Sequence, residues 1–378
     1  MTSVPSAPIR LGPITVDPPV VLAPMAGITN IAFRRLAREA MGDGGLFVSE
    51  MITSRALVEG SPKTMRLIEF GPEESPRSIQ LYGVDPAVMG RAAGLIAERE
   101  LADHIDLNFG CPVPKVTRKG GGAALPWRTE LFADIVRAVV TAAQHLPVTV
   151  KMRVGIDAEH VTFRDAALRA QDAGVAYVAL HARTAQEYYS GRADWDRIAE
   201  LVALLDIPVL GNGDIWEADD ALTMMARTGC AGVVVGRGCL GRPWLFTDLA
   251  AAFAGRADRV RPGLGEVAAM MYRHAELLAD WLTEPYGLAD FRKHVAWYLK
   301  GFAVGGELRA QLAQVCSLAE LADRLAQLDS AQRFNEQILG QPRGRTGAPR
   351  AVSLPQGWLE SRTDRRVPAG AEIEGVGG

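Results

Sequence analysis

The sequence predicts an α/β fold: a (β/α)8 TIM barrel followed by a small C-terminal all-helical domain. Three observations carry this. Eight short apolar runs alternate with helical stretches between residues 20 and 254. No G-x-G-x-x-G follows the first run, which weighs against the runner-up architecture, an open doubly wound sheet. Beyond a linker at 255–265 bearing Gly, Pro and Arg, apolar residues recur at Val267, Met270, Met271, Leu278 and Trp281, near the 3.6 period of a helix.

The first strand is expected at 20–24 (VVLAP), ahead of a helix at 29–40. The second, 46–51 (LFVSEM), leads into an irregular segment at 52–76. Strands at 77–82, 104–109, 147–153, 177–182 and 208–212 are each followed by a helix, at 86–100, 129–145, 161–173, 194–205 and 216–228. The eighth, 232–236 (GVVVG), precedes a helix at about 243–254. Short apolar strands separated by amphipathic helices are what parallel βα units require. Stretches 266–282, 290–302 and 307–328 form the helical bundle. The barrel domain is expected over 14–254 and the helical domain over 264–332. The tail, 340–378, is rich in Gly, Pro and Arg with few apolar anchors, which predicts disorder.

With 378 residues, 48% hydrophobic and 22% charged, the chain is long enough for one large and one small folded unit. No apolar run reaches the roughly 18 residues of a membrane span, and 1–20 lacks the charged head and long apolar run of a secretion signal. Cys111, Cys230, Cys239 and Cys316 fall at no metal-ligand spacing, which predicts reduced thiols, a cytoplasmic location and no metal site. A net charge of -3 excludes a global positive field. Screening confines charge action to about 8 Å, so a local basic patch can still hold nucleic acid.

Strand residues two apart share a face, and in a barrel one parity points inward. Val148, Val150 and Met152 form the apolar set of the fifth strand, so Lys151 faces the axis. The same reasoning turns Ser78 and Gln80, Asp106 and Asn108, His181 and Arg183, and Asn212 inward. Gln80, Asn108, Lys151, His181 and Asn212 then converge at the C-terminal end of the barrel, where such barrels carry their active sites. Left unpaired when buried, each would cost about 1–3 kcal/mol, which argues for a ligand.

Two glycine-rich turns, 211–214 (GNGD) and 236–238 (GRG), follow the seventh and eighth strands. Barrels commonly bind phosphate there, and Arg237 supplies a fixed cation. The first strand ends in Pro24, Met25, Ala26 and Gly27, leaving room for a planar group against the backbone, with Gln80 and Lys151 at its polar edge. A phosphate at one end and a flat ring at the other describes FMN or another phosphorylated ring.

At this point the motifs resemble a family. The stretches 22–27 (LAPMAG), 106–112 (DLNFGCP) with Lys115 and Val116, 151–153 (KMR), 181–184 (HART), 211–214 (GNGD) and 291–301 (FRKHVAWYLKG) are similar to those of the bacterial tRNA-dihydrouridine synthases, of the B type. The resemblance runs from about residue 14 to about 330. It implies an FMN-binding barrel with a C-terminal helical domain, acting on tRNA with NADPH as electron donor. It assigns flavin contacts to Pro24, Met25, Ala26, Gln80, Lys151, His181, Asn212, Gly213, Asp214, Gly236 and Arg237. It assigns the proton donor to Cys111 and contacts with the target base to Asn108 and Arg153.

The chemistry then expected is a hydride from flavin N5 to uracil C6 and a proton from Cys111 to C5. Gly120, Gly121 and Gly122 suggest that the loop bearing Cys111 moves as a lid. Phosphates around a base drawn out of its stack need cations. Candidates are Lys115, Arg118 and Lys119 on the lid and Arg292, Lys293 and Lys300 on one helix, whereas Trp297 and Tyr298 read as bundle core. Cys230, Cys239 and Cys316 read as small buried hydrophobes. No protein partner is expected. Two alternatives stay open: an FMN-dependent reductase of free pyrimidines, which turnover of uracil or orotate without tRNA would support, and a non-catalytic RNA-binding relative, which a colourless protein would support.

Overall fold

A computed structural model describes residues 7–344 and 346–371. Residues 345 and 372–378 of the expected tail lie outside the described residues. A short antiparallel hairpin, β1 (Ile9–Leu11) and β2 (Ile14–Val16), comes first. The alternation then runs β3 (Val20–Leu22), α1 (Ile31–Met41), β4 (Leu46–Thr53), α2 (Ser54–Val58), α3 (Pro62–Leu67), β5 (Ser78–Tyr82), α4 (Pro86–Glu98), β6 (His104–Phe109), α5 (Pro114–Thr117) and α6 (Thr129–Ala142). It continues with β7 (Val148–Arg153), α7 (Phe163–Asp172), β8 (Val178–His181), α8 (Asp196–Leu204), β9 (Val209–Asn212), α9 (Ala218–Thr228), β10 (Gly232–Val235) and α10 (Leu245–Phe253).

The eight parallel strands β3 to β10 form a closed barrel. Closure is the pairing of β10 with β3, which sets Val233 beside Val20 and Val235 beside Leu22. Parity sorts the strands as expected. Val148, Val150 and Met152 of β7 pack with Ile135 of α6 and Phe163 of α7, while Thr149 points inward. The lower barrel is filled by Val21, Leu46, Ala179, Leu210 and Val234, and the β1–β2 hairpin plugs it with Ile9, Leu11, Ile14 and Val16. This hairpin was not anticipated, because three-residue strands are too short to show a period. An extra residue in β4 shifts register between Val48, which pairs with Ser78, and Met51, which pairs with Gln80. The irregular segment after β4 is tied to α1 by the fully buried Arg34, which donates to both Glu74 oxygens at 2.7 and 2.9 Å.

Among the described residues four α-helices follow: α11 (Leu264–Leu282), α12 (Glu284–Tyr298), α13 (Gly306–Leu312) and α14 (Leu318–Leu325). α12 begins six residues ahead of the expected 290, with Pro285 in its first turn, where the missing N–H is no loss. The expected single helix at 307–328 is two, and Ser317 caps the second by accepting from the Glu320 N–H at 3.1 Å. A Cβ at Gly287 would stand 2.5 Å from the Ala279 nitrogen, so this glycine sets how closely α11 and α12 approach. Their core of Val267, Met271, Leu278, Leu288, Phe291 and Val295 continues onto Ala32 and Leu36 of α1, which seats the helices on the barrel.

The tail departs from the sequence reading. Instead of being disordered, its described part, from 340 to 371, runs along the C-terminal rim of the barrel. Composition misled because a few side chains anchor it: Trp358 is buried in the barrel's own core cluster, and Arg343 is buried as well. Among the described residues no helix is long and apolar enough to cross a membrane, and no group of three or more metal-ligating side chains occurs.

Candidate active site at the barrel mouth

A cavity of about 500 Å³ opens at the C-terminal ends of the strands. Pro24, Met25 and Ala26 form one wall, and Gln80, Asn108 and Lys151 form the floor. Cys111, Arg153 and His181 complete it. A second cavity of about 90 Å³ lies between the loops after β9 and β10, lined by Asn212, Gly213, Asp214, Gly236 and Arg237. Lys151, His181 and Arg237 border both, so every position expected to face a cofactor lines this joined space.

A one-way chain of hydrogen bonds organises the floor. The Cys111 and Gly110 N–H groups donate to Asn108 Oδ1 at 2.9 and 3.1 Å. Asn108 Nδ2 donates to Gln80 Oε1 at 2.8 Å, and Gln80 Nε2 donates to Asp106 Oδ2 at 2.6 Å. From below, Thr149 Oγ1 donates to Asp106 Oδ1 at 2.6 Å. His104 Nε2 lies 2.9 Å from Thr149 Oγ1, and Ser78 Oγ lies 2.7 Å from His104 Nδ1. With Thr149 donating to Asp106, His104 carries its proton on Nε2 and accepts from Ser78. Both arms end on Asp106, whose carboxyl is pushed up to about 6 by burial, against hydrogen bonds from Thr149 and Gln80 and the charge of Lys151. Parity had turned Asp106 inward, but sequence alone gave it no role.

The upper site is short of partners. Lys151 makes no hydrogen bond or ion pair among the described residues, and burial with the nearby Arg153 charge pulls its ammonium down to about 8. The buried His181 Nε2 also has no partner among them, and burial beside Arg153, Lys151, Arg183 and Arg237 keeps the ring neutral. Arg237 is pulled down to about 10 by burial. Its guanidinium lies 4.3 Å from the Tyr189 ring centre and 4.9 Å from that of Trp216, which fixes its plane. A Cβ at Gly213 would stand 2.7 Å from that of Ala193, and one at Gly238 would stand 2.2 Å from the Ile215 carbonyl oxygen, so both turns need glycine. Asp214 pairs with Arg183, at 2.9 and 2.8 Å, and with Arg237 at 3.6 Å. Asn212 Nδ2 donates to the Val234 carbonyl at 2.6 Å. The joined space suits a flat ligand with a polar edge and a terminal anion.

Cys111 is half-buried, and burial pushes its thiol up, with a backbone N–H and the charges of Arg153 and Lys151 opposing. Arg153 is not a loose rim cation. It donates to the carbonyls of Gly110, Thr184 and Tyr188 at 2.8–2.9 Å and thereby fixes the Cys111 turn. Lys115 and Arg118 are exposed on the loop after β6, and Lys119 is half-buried there.

The three expected cations do not share a helix face: Arg292 and Lys293 lie on α12, whereas Lys300 lies beyond its end at Tyr298. Lys293 hangs over the cavity, paired with Asp290 at 2.5 Å. Arg292 turns to the Val315 carbonyl and the exposed Cys316, and Lys300 donates to the Pro342 carbonyl. Cys230 and Cys239 are buried as expected, but Cys316 is not. Tyr298 is core, whereas Trp297 lines the cavity.

Sequence reasoning also missed Glu50, Met51, Tyr188 and Tyr189. Glu50 is 5% exposed, raised by burial, and accepts from the Gly27 N–H within reach of the Lys293 charge. A lone acid inside an apolar strand was the available signal. The two tyrosines sit on a loop, where strand parity says nothing.

A model of the family described as dihydrouridine synthase (Dus) matches residues 21–336. A protein of Mycobacterium tuberculosis named "Probable tRNA-dihydrouridine synthase" is 54% identical, over 99% of this chain and 98% of its own length. "tRNA-dihydrouridine synthase B" of Xanthomonas axonopodis is 36% identical, over 88% of this chain and 98% of that one. Among solved structures, histamine dehydrogenase from Rhizobium sp. 4-9 superposes with a TM-score of 0.52 at 14% identity, over 87% of this chain and 65% of that chain, a likeness of fold.

Proposed function

The chain belongs to the dihydrouridine synthase family, and from that premise we propose that it reduces uridines of tRNA to 5,6-dihydrouridine with FMN as cofactor and NADPH as electron source. The observation that carries the reading is the buried His181 Nε2, which has no partner among the described residues, beside the half-buried Lys151, both lining a cavity that continues into a glycine cradle beside Arg237. FMN fits this chemistry. Gln80, Lys151 and His181 would meet the polar edge of its ring, Met25 and Ala26 its face, and Gly213, Gly236 and Arg237 its phosphate. Asn212 and Asp214 hold the shape of the cradle.

When bound and reduced, FMN would supply the hydride that adds to C6 of uracil. The electron pair released from the C5–C6 double bond goes to C5, shared with the C4 carbonyl. Cys111 Sγ–H closes the reaction by giving its proton to C5. Burial holds Cys111 as a thiol at neutral pH, and the charges of Arg153 and Lys151 steady the thiolate it becomes until solvent restores its proton. Asn108 lines the space for the target base and fixes Cys111 by accepting the Cys111 N–H on Oδ1. The base must leave its stack to enter. Trp297 offers a face for it, and Lys293 across from Lys115, Arg118 and Lys119 would hold the flanking phosphates. The work falls where tRNA is, in the cytoplasm.

Cys111→Ala tests this. The variant should keep its yellow colour and lose dihydrouridine formation by about 10²–10⁴-fold, the range of a lost general acid. A wild-type rate in the variant would remove Cys111 from the reaction.

A further inference from the structure

The family model stops at residue 336, yet the described part of 340–371 is laid along the rim of the active-site mouth. Arg343 donates to the carbonyls of Leu240 and Trp297 at 3.2 and 3.0 Å, which starts the segment between β10 and the helical module. The Arg350 N–H donates to the Gln186 carbonyl at 2.8 Å. Trp358 then enters a slot beneath the loop that follows Cys111. Beyond it, the Thr129 N–H donates to the Arg362 carbonyl at 2.7 Å, and Arg365 pairs with Asp134 and Glu130 at 2.7 and 2.6 Å.

The slot is built around the indole. Trp358 is 3% exposed, and its Nε1 donates to the Ala124 carbonyl at 3.0 Å. Arg128 lies over the ring at 4.8 Å, donates to the Trp358 carbonyl at 2.8 Å and pairs with Asp364 at 2.6 Å. Gly120, at φ +80°, lies flat against it, since a Cβ there would stand 2.6 Å from the indole Cη2. From this loop the contact passes to the thiol's own residue. The Ala123 N–H donates to the Cys111 carbonyl at 3.0 Å, and a Cβ at Gly122 would stand 2.5 Å from that oxygen. These glycines let the loop close down on Trp358 and Cys111.

We propose that the segment 346–371 is a strap clamping the Cys111 loop, with Trp358 the positioning residue that aims the thiol at the base. This rests on the reading that Cys111 donates the proton. Trp358 touches neither cavity. Its removal frees the loop while leaving Lys151, His181 and the phosphate cradle in place, so Trp358 acts on proton delivery and not on cofactor binding or reduction.

The test is Trp358→Ala in the full chain, with Trp358→Phe beside it, and three readouts. Single-turnover dihydrouridine formation from pre-reduced enzyme and tRNA should fall about 10–100-fold, the scale of a misplacement near 1 Å. Flavin reduction by NADPH should stay within about twofold, because no group named for it moves. Iodoacetamide labelling of Cys111, followed on its own peptide, should quicken roughly tenfold as the loop loosens. Trp358→Phe keeps an aromatic ring and deletes the bond to Ala124, and should show both changes at a few-fold scale; it decides the matter if the Ala variant does not fold. Folded variants with wild-type turnover and wild-type labelling would overturn the strap, as would an equal loss of flavin reduction. A wild-type protein that makes no dihydrouridine would sink the activity reading instead.

Discussion

Asp106→Asn is the perturbation that most exposes the logic of the floor. Burial raises the Asp106 carboxyl from 3.8 to about 6. Between those values the folded chain binds a proton that the unfolded chain releases, so stability falls as pH rises through this window. Above about pH 6 the buried charge then costs the fold roughly 3 kcal/mol, from 1.4 kcal/mol per unit over about two units. Asparagine removes that cost. It also presents an N–H where two donors, Thr149 Oγ1 and Gln80 Nε2, need an acceptor, and a lost bond to a charged group is worth about 1.5–3 kcal/mol.

The two effects nearly cancel, so Tm should move by no more than about 3 °C. The chain of donors does not survive. Gln80 must turn its amide, which sets an N–H against Asn108 Nδ2, and Asn108 then releases the Cys111 N–H. Dihydrouridine formation should fall about 10–100-fold. In the wild type, protonating Asp106 breaks the same chain, so the rate should decline below a midpoint near pH 6, and the Asn variant should lack that acid limb. The assay is single-turnover dihydrouridine formation from pH 5 to 8 beside a thermal melt. An Asn variant with a wild-type rate and a wild-type acid limb would refute the reasoning.

Lys151 gives a second pH signature with a different sign. Burial pulls it down to about 8, so its charge is lost as pH rises through 8 rather than 10.5. FMN affinity, followed by fluorescence quenching, should therefore weaken above pH 8 in the wild type and be weak and flat in Lys151→Met, while stability of the unliganded chain should rise between pH 8 and 10.5. Lys293→Glu should leave FMN affinity unchanged and weaken tRNA binding. Filter binding across a salt series should show the salt slope reduced by about 0.7–0.9, the value for one phosphate no longer neutralised.

Much of this site was legible in the sequence because a barrel strand has a strict period of two. Placing Val148, Val150 and Met152 outward was enough to turn Lys151 into the mouth, and the same step located Gln80, Asn108, His181 and Asn212. What escaped lies off that period. The extra residue in β4 brings both Glu50 and Met51 to the mouth, and no strand pattern announces it. Tyr188 and Tyr189 ride on a loop. Trp297 and Tyr298 are adjacent on one helix, and only the docking of α12 on the barrel decides which meets the cavity. The tail was misread because composition averages over many Gly, Pro and Arg residues, whereas a single tryptophan and a few arginines fix it. Placing Arg292, Lys293 and Lys300 on one helix ran past its end at Tyr298, and Arg292 and Lys293, as neighbours, point about 100° apart.

The central claim is that a reduced flavin seated on Gln80, Lys151 and His181 delivers its electrons to uridine in tRNA. The most direct measurement is a single turnover of FMN-loaded, pre-reduced protein with unmodified tRNA in the absence of oxygen. Flavin oxidation would be read at 450 nm and dihydrouridine by mass spectrometry of the digested RNA. The account predicts one dihydrouridine for each flavin oxidised and no oxidation without tRNA. A chain that takes up no FMN, or a flavin that stays reduced in the presence of tRNA, would contradict it.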